Sequence, residues 1–264
     1  MLSAYDQQRI LRIAWDTEKD QGPFHCPECQ RQVILKKGQF VVHHFAHAPG
    51  SNCKFGTGET LEHWQAKFEI YRVLRTYPQI TDLQVELPLG PVRPDIIFCW
   101  EGKIYVVIEF QRSPLQVADV VRRTSHYTEK NIAVLWIILP RGRFAASERC
   151  STRIWERFLY ELYDNTIFCW EGYQVVLAFR LEPCVLNTEY RELYDRHAGL
   201  WRMRETPRYS KRLRIAHSYD AVRITDMKVI EVPAQRRGEF MLPKALLWSL
   251  EERLEDEQES MTPA

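Results

Sequence analysis

The sequence predicts an α/β fold, ordered helix, three strands, helix, strand, behind a small cysteine- and histidine-rich hairpin module. Two observations carry this expectation. Between residues 58 and 139 the hydrophobic period changes from helical to strand-like and back in that order. Ahead of it, Cys26, Cys29 and Cys53, three of seven cysteines, share one segment with His43, His44 and His47.

Each element has a local warrant. In the N-terminal segment, residues 1–57, Val33–Lys36 and Phe40–Phe45 are β-prone runs joined at Lys37-Gly38. Leu61, Trp64, Phe68 and Tyr71 then recur at helical spacing, with Thr57 or Gly58 as the expected cap and Tyr77-Pro78 as the stop. Leu83–Leu87, Asp95–Trp100 and Lys103–Gln111 read as strands, the last two joined by a tight turn at Glu101-Gly102. Ser113-Pro114 is expected to open the second helix, which runs to about Lys130. Ile132–Leu139 is a continuous apolar run, as a strand buried on both faces requires.

Further on, Trp155–Tyr163 reads as an amphipathic helix and Thr166–Phe179 as a hairpin. The segment Ile97–Gly102 recurs unchanged as Ile167–Gly172, which we read as two hairpins with the same turn chemistry. The expected division is a hairpin module (1–57), a core (58–184) and a C-terminal extension (185–264). The extension holds a basic stretch (Arg202, Arg204, Arg208, Lys211, Arg212, Arg214), weighed equally as a solvated helix or a DNA contact, and an acidic run, Glu251–Glu259, expected to be a fraying helix.

Composition bounds the function. The chain has 264 residues, 45% of them hydrophobic, and a formal net charge of +1. Any groove for nucleic acid must therefore be local rather than a property of the whole surface. The first residues lack a signal-peptide pattern and no apolar run reaches bilayer length, so cytoplasmic residence is expected and a membrane partner is not. Cys99, Cys150, Cys169 and Cys184 are scattered in apolar sequence and read as small buried hydrophobes.

Two constellations carry chemistry. Asp95 and Glu109 would lie across a hairpin at the same end, where paired carboxylates suit Mg²⁺ or Mn²⁺. Such an ion polarises a phosphodiester and lowers the pKa of bound water. Cys26-Pro27-Glu28-Cys29 with Cys53 and either His44 or His47 makes a four-ligand set for structural Zn²⁺.

The strand-borne Asp95, followed by Glu109-x-Gln111, resembles the PD-(D/E)XK (restriction-endonuclease-like) nuclease core, with glutamine where that core usually has lysine. The resemblance makes Glu59, on the first helix, a further carboxylate. Lys67 is the candidate substitute for the lysine, and Gln111 would position water or phosphate. Glu59, His63 and Lys67 form one stripe at i, i+4 and i+8. His63, Arg93, Arg122 and Tyr127 are the expected DNA contacts, and Arg123 reads equally well as solvated.

As an ordered set, Cys-Pro-x-Cys, His44-Phe45-Ala46-His47, Cys53, Gly58-Glu59-x-x-x-His63-x-x-x-Lys67, Arg93-Pro94-Asp95-Ile96 and Ile108-Glu109-Phe110-Gln111-x-Ser113 resemble the competence protein CoiA family. Arg123-Thr124-x-x-Tyr127, leading into Trp136–Leu139, fits as well. The resemblance covers roughly residues 20 to 180. It implies a bacterial cytosolic protein linked to natural transformation, recombination or repair, acting on branched or single-stranded DNA and associated with a RecA-type recombinase. Metal-dependent endonuclease activity is the leading expectation, a non-cleaving module that binds DNA or recombinase is the rival, and a zinc-dependent regulator is a third.

Overall fold

The computed structural model describes residues 1–38, 41–53, 55, 59–139, 144, 149–172 and 175–250. The N-terminal module is a five-stranded antiparallel sheet of β1 (Ser3–Tyr5), β2 (Leu11–Ile13), β3 (Phe24–His25), β4 (Gln32–Gly38) and β5 (Val41–His47), ordered β2-β1-β3-β4-β5. β4 runs through Gly38, so Lys37 and Gly38, the expected turn, are strand; residues 39–40 lie outside the described residues.

The core follows in the expected order. It comprises α1 (Leu61–Leu74), β6 (Ile80–Val85), β7 (Ile96–Trp100), β8 (Ile104–Gln111), α2 (Val117–Glu129) and β9 (Ile132–Ile138). Thr60 caps α1 by accepting the backbone N–H of His63, while the expected caps Thr57 and Gly58 lie outside the described residues. α2 begins three residues beyond Pro114 with Gln116 as its cap, because Ser113 instead accepts a hydrogen bond from Gln111 through its carbonyl. Glu101 and Gly102 both have positive φ (50° and 65°), as a two-residue hairpin turn requires.

β6, β7 and β8 pair antiparallel and β8 pairs parallel with β9. Every residue of β9 is buried, which matches its unbroken apolar sequence. α1 packs on the face of β8 that carries Phe110, and α2 packs on the face that carries Glu109.

The remaining elements are β10 (Arg149–Ser151), α3 (Ile154–Leu162), β11 (Ile167–Gly172), β12 (Val175–Asp195), β13 (Leu200–Val222), β14 (Lys228–Val232), β15 (Gln235–Arg237), β16 (Phe240–Leu242) and β17 (Ala245–Ser249). The far edge of β9 is shared, with β17 pairing parallel at Val134 and β11 at Ile138. The Tyr163 hydroxyl, just after α3, donates to the Val134 carbonyl and accepts the Trp136 N–H, both at 2.9 Å. The four scattered cysteines are buried.

Two expectations for the C-terminal half change, and a third lies outside the described residues. The repeated hexapeptide opens a hairpin in both copies, but in the second Glu171 and Gly172 belong to the strand, and Gly172 pairs with Val175. The basic stretch is strand rather than helix, because residues 200–222 pair along their length with β12. The acidic run Glu251–Glu259 lies outside the described residues. No helix among the described residues is long and apolar enough to cross a membrane.

The module docks on the core through one acid. Buried Glu86, just after β6, accepts the Leu2 N–H at 2.7 Å and binds the Lys67 ammonium of α1 at 2.8 Å. Leu2 and Ile13 pack with Tyr71 and Val85 around it, and Arg75 pairs with Asp16 at 2.8 Å. Burial raises the Glu86 pKa, but Lys67 and the Leu2 N–H outweigh it and hold the carboxyl at about 2. A folded pKa below the ordinary 4.5 means stabilisation that is present above pH 4.5 and lost as pH falls toward 2. Glu86→Gln should therefore cost about 3 kcal/mol at pH 7 by leaving Lys67 undercompensated. Urea denaturation should show the gap from wild type narrowing below pH 4; a gap independent of pH would contradict this assignment.

Candidate functional site

In the N-terminal module, Cys26 and Cys29 flank a tight turn closed by the Gln30 N–H to the Cys26 carbonyl at 3.0 Å. Gln30 has φ of 60°, which lets the chain reverse within the motif. Cys29 Sγ lies 3.3 Å from His47 Nε2, and Cys26 Sγ lies 3.9 Å from Cys53 Sγ. The four ligand atoms all fall within 4.8 Å of one another. Strand parity settles the histidine. His44 and His47 are three residues apart on β5 and point to opposite faces. His47 joins the cysteines, while His44 Nδ1 lies 2.6 Å from the Val42 carbonyl and its ring stacks 5.1 Å from Trp64 of α1. His44 is thus a docking contact rather than a ligand. Three thiols and one imidazole fit zinc, and burial pushes the Cys26 thiol up to about 12 where no cation is present to favour the thiolate. Zinc content should fall from about one per chain to near zero in Cys53→Ser and His47→Ala and stay near one in His44→Ala. Loss in His44→Ala would overturn the parity argument.

The second cluster is built on α1. Glu59 precedes the cap, and His63 and Lys67 follow one and two turns on. Lys67 is wholly buried, with its ammonium 2.8 Å from Glu59 Oε1, 2.8 Å from Glu86 Oε1 and 3.4 Å from Asp95 Oδ1. Asp95 enters β7 opposite the end of β6, where its carbonyl accepts the Glu86 N–H at 3.1 Å. Asp95 Oδ2 lies 3.0 Å from His63 Nε2 and accepts the Phe110 N–H at 2.8 Å. Glu59 also accepts the Trp64 indole N–H.

Ligand atoms of Glu59, His63 and Asp95 lie within 4.8 Å of one another. Burial raises the Asp95 pKa, but His63 and Lys67 overcome it and hold the group well below the usual carboxylate range. Burial lowers the His63 pKa, and Asp95 more than reverses this. The stripe Glu59, His63 and Lys67 is therefore brought together with Asp95. Glu86 was missed, although an acid between Val85 and Leu87 carries the same signal as Glu109 within its apolar strand.

Glu109 is placed elsewhere. It alternates with Phe110, so it faces α2, where its Oε1 accepts hydrogen bonds from Arg123 and the Tyr127 hydroxyl. Burial lifts its carboxyl to about 7 against the opposing effect of Arg123, with Asp95 adding to the rise. The expected Asp95–Glu109 pairing gives way to Asp95 with Glu59 and His63. Tyr127 is fully buried and its hydroxyl is committed to Glu109, so it presents nothing to a phosphate.

A cleft of about 470 Å³ opens beside the cluster, lined by His63, Arg93, Asp95, Gln111, Arg122 and Arg123 among others. Arg123, for which a phosphate contact and a solvated face read equally well from sequence, reaches both Glu109 and the cleft wall. Arg93 rests on the Phe55 ring at 3.6 Å, and exposed Arg122 meets Asp119 at 3.5 Å. Gln111 lines the cleft while its amide donates to the Ser113 carbonyl at 2.6 Å. Glu28, between Cys26 and Cys29, also lines it, so the N-terminal module forms part of the wall.

The family model for the N-terminal domain of competence protein CoiA matches residues 7–56, and that for its nuclease-like domain matches residues 59–171. The chain belongs to the competence protein CoiA family. Competence protein CoiA of Bacillus subtilis (strain 168) is 24% identical over 172 residues, a match that spans 63% of this chain and 46% of that protein. This chain thus covers less than half of its CoiA relative. No solved structure matches it. Both CoiA models end before β12, so the long hairpin lies outside them.

Proposed function

We propose that this CoiA-family chain is a divalent-metal-dependent deoxyribonuclease that hydrolyses phosphodiester bonds on a PD-(D/E)XK-like core. The observation that carries the reading is the convergence of Glu59, His63 and Asp95 beside an arginine-lined cleft. Two carboxylates and an imidazole fit Mn²⁺ at least as well as Mg²⁺, since the imidazole favours the softer ion. Such an ion, when bound, would supply Lewis-acid polarisation of a phosphate and a more acidic water.

The chain's own residues do the rest. Lys67 is too buried to touch a phosphate, so it holds Glu59 and Asp95 ionised and in place. Arg93, Arg122 and Arg123 offer planar guanidinium forks matched to phosphate oxygens. Gln111 can orient water or phosphate by hydrogen bonding without adding charge. DNA uptake, recombination or repair is the role this activity would serve, with a RecA-type recombinase as the expected partner.

The position of Glu109 favours one alternative. With that carboxylate committed to Arg123 and Tyr127, and Gln111 in the lysine position, a non-cleaving module that grips DNA would keep the same cleft. Incubating linear, single-stranded and branched DNA with Mg²⁺, Mn²⁺ or EDTA separates the two. The nuclease reading predicts metal-dependent cleavage that falls by more than about 100-fold in Asp95→Asn and His63→Ala, beyond the effect of losing a supporting hydrogen bond. DNA binding without products from any substrate would establish the alternative.

A further inference from the structure

The β12–β13 hairpin leaves the sheet beyond buried Cys184, and every residue from 185 to 209 is exposed or half-buried. β11 runs parallel to β9 and β12 runs antiparallel to β11, so β12 heads away from the end of the sheet that holds Asp95 and Gln111. The ribbon is thus a separate arm. Its tip is locally built: Asp195 Oδ1 accepts the His197 and Ala198 N–H groups at 3.0 and 3.1 Å, and Gly199 takes the φ of 66° that closes the turn. Tyr194 and Trp201, directly opposite in register, staple the strands at 5.3 Å between ring centroids.

Residues opposite each other in an antiparallel pair share a face. One face carries Arg191 opposite Arg204, Arg202 opposite Leu193, and Arg208 opposite Asn187. Glu189 lies 3.6 Å from Arg191 and 3.4 Å from Arg208, and Asp195 lies 3.3 Å from Arg202. These acids aim the arginines without covering them, since the Arg191, Arg202 and Arg208 side chains remain 75%, 67% and 67% exposed. Arg191 against Arg204 is a like-charge pair, which destabilises a ribbon unless an anion sits between the two.

We propose that this arm is a second nucleic-acid site, which lays its arginine face along the phosphate backbone of duplex DNA. The choice of DNA as the polyanion rests on the nuclease reading above. From Arg208 to Arg202 is six residues, about 20 Å of strand, more than half of a B-DNA turn of about 34–36 Å. A two-stranded ribbon is also narrow enough for the major groove. A second copy of the chain fits less well. The opposite face, with Tyr190, Tyr194, Trp201 and Met203, also carries Glu192 and Glu205. Two-fold pairing of either face with itself would therefore oppose like charges.

The test compares wild type with Arg191→Gln/Arg202→Gln/Arg204→Gln/Arg208→Gln by fluorescence anisotropy on a 40-base-pair duplex across 50–200 mM salt. Each lost phosphate contact reduces the slope of log affinity against log salt by about 1, so a drop of about 3 to 4 is expected. Replacing the same four by lysine should restore most of the slope. Run without added Mg²⁺ or Mn²⁺, the titration reads the arm apart from any metal-dependent chemistry in the cleft, so failure of this proposal and failure of the nuclease reading are distinguishable. Unchanged affinity and slope in a quadruple variant with wild-type zinc content and melting would overturn the proposal. So would a wild-type dimer, seen by sedimentation without DNA, that the glutamine variant dissociates. If the quadruple variant fails to fold, Arg204→Gln alone should lower the slope by about 1, and no change in it would be equally decisive.

Discussion

A lysine sealed among three carboxylates organises this protein. Lys67 has no exposure to solvent, yet it bridges Glu59, Glu86 and Asp95. Alone, a buried ammonium would shed its proton; burial lowers its pKa, and the three acids more than restore it. The acids gain in turn: Lys67 opposes the desolvation that would otherwise neutralise Glu86, and His63 with Lys67 does the same for Asp95. The cluster joins the start of α1, the end of β6 and the start of β7. Each carboxylate also serves a different purpose: Glu86 receives the N-terminal module, Asp95 turns toward His63 and the cleft, and Glu59 lies beside them. Docking of the N-terminal module and preparation of a metal-capable site are thus consequences of one charge balance.

The two acids of the hairpin part company. Asp95 and Glu109 share an end of the sheet, but Asp95 lies one residue outside the paired part of β7, and Glu109 is held by side chains of α2. There Arg123 and Tyr127 satisfy it, and burial leaves it near neutrality. Asp95 instead meets α1, where a cation and an imidazole await it. A second consequence concerns the N-terminal module. Glu28 of the knuckle lines the cleft and Phe55 supports Arg93, so the module contributes to the wall as well as to stability.

Much of the core was legible because its signals are local. The apolar run of β9, the Glu101-Gly102 turn and the helical recurrence from Leu61 to Tyr71 each specify their element within a few residues. The metal constellation at Cys26 and Cys29 was legible for the same reason, and only the choice between His44 and His47 needed strand parity. What was not legible depends on distant partners. Glu86 looks like any acid until Lys67 and Leu2 are placed around it. The α2 start was misplaced because Ser113-Pro114 is a strong capping signal that a hydrogen bond from Gln111 diverts. The long ribbon was invisible because its exposed strands, rich in arginine and tyrosine, lack the apolar alternation that a half-buried strand imposes.

The claim that Glu59, His63 and Asp95, rather than Asp95 with Glu109, make the metal site is open to direct measurement. Mn²⁺ binding, followed by electron paramagnetic resonance on zinc-loaded protein, should show one site per chain. It should be lost in Asp95→Asn and His63→Ala and kept in Glu109→Gln. A site indifferent to His63, or one abolished by Glu109→Gln in a folded protein, would contradict this account and restore the hairpin pair as the metal ligands.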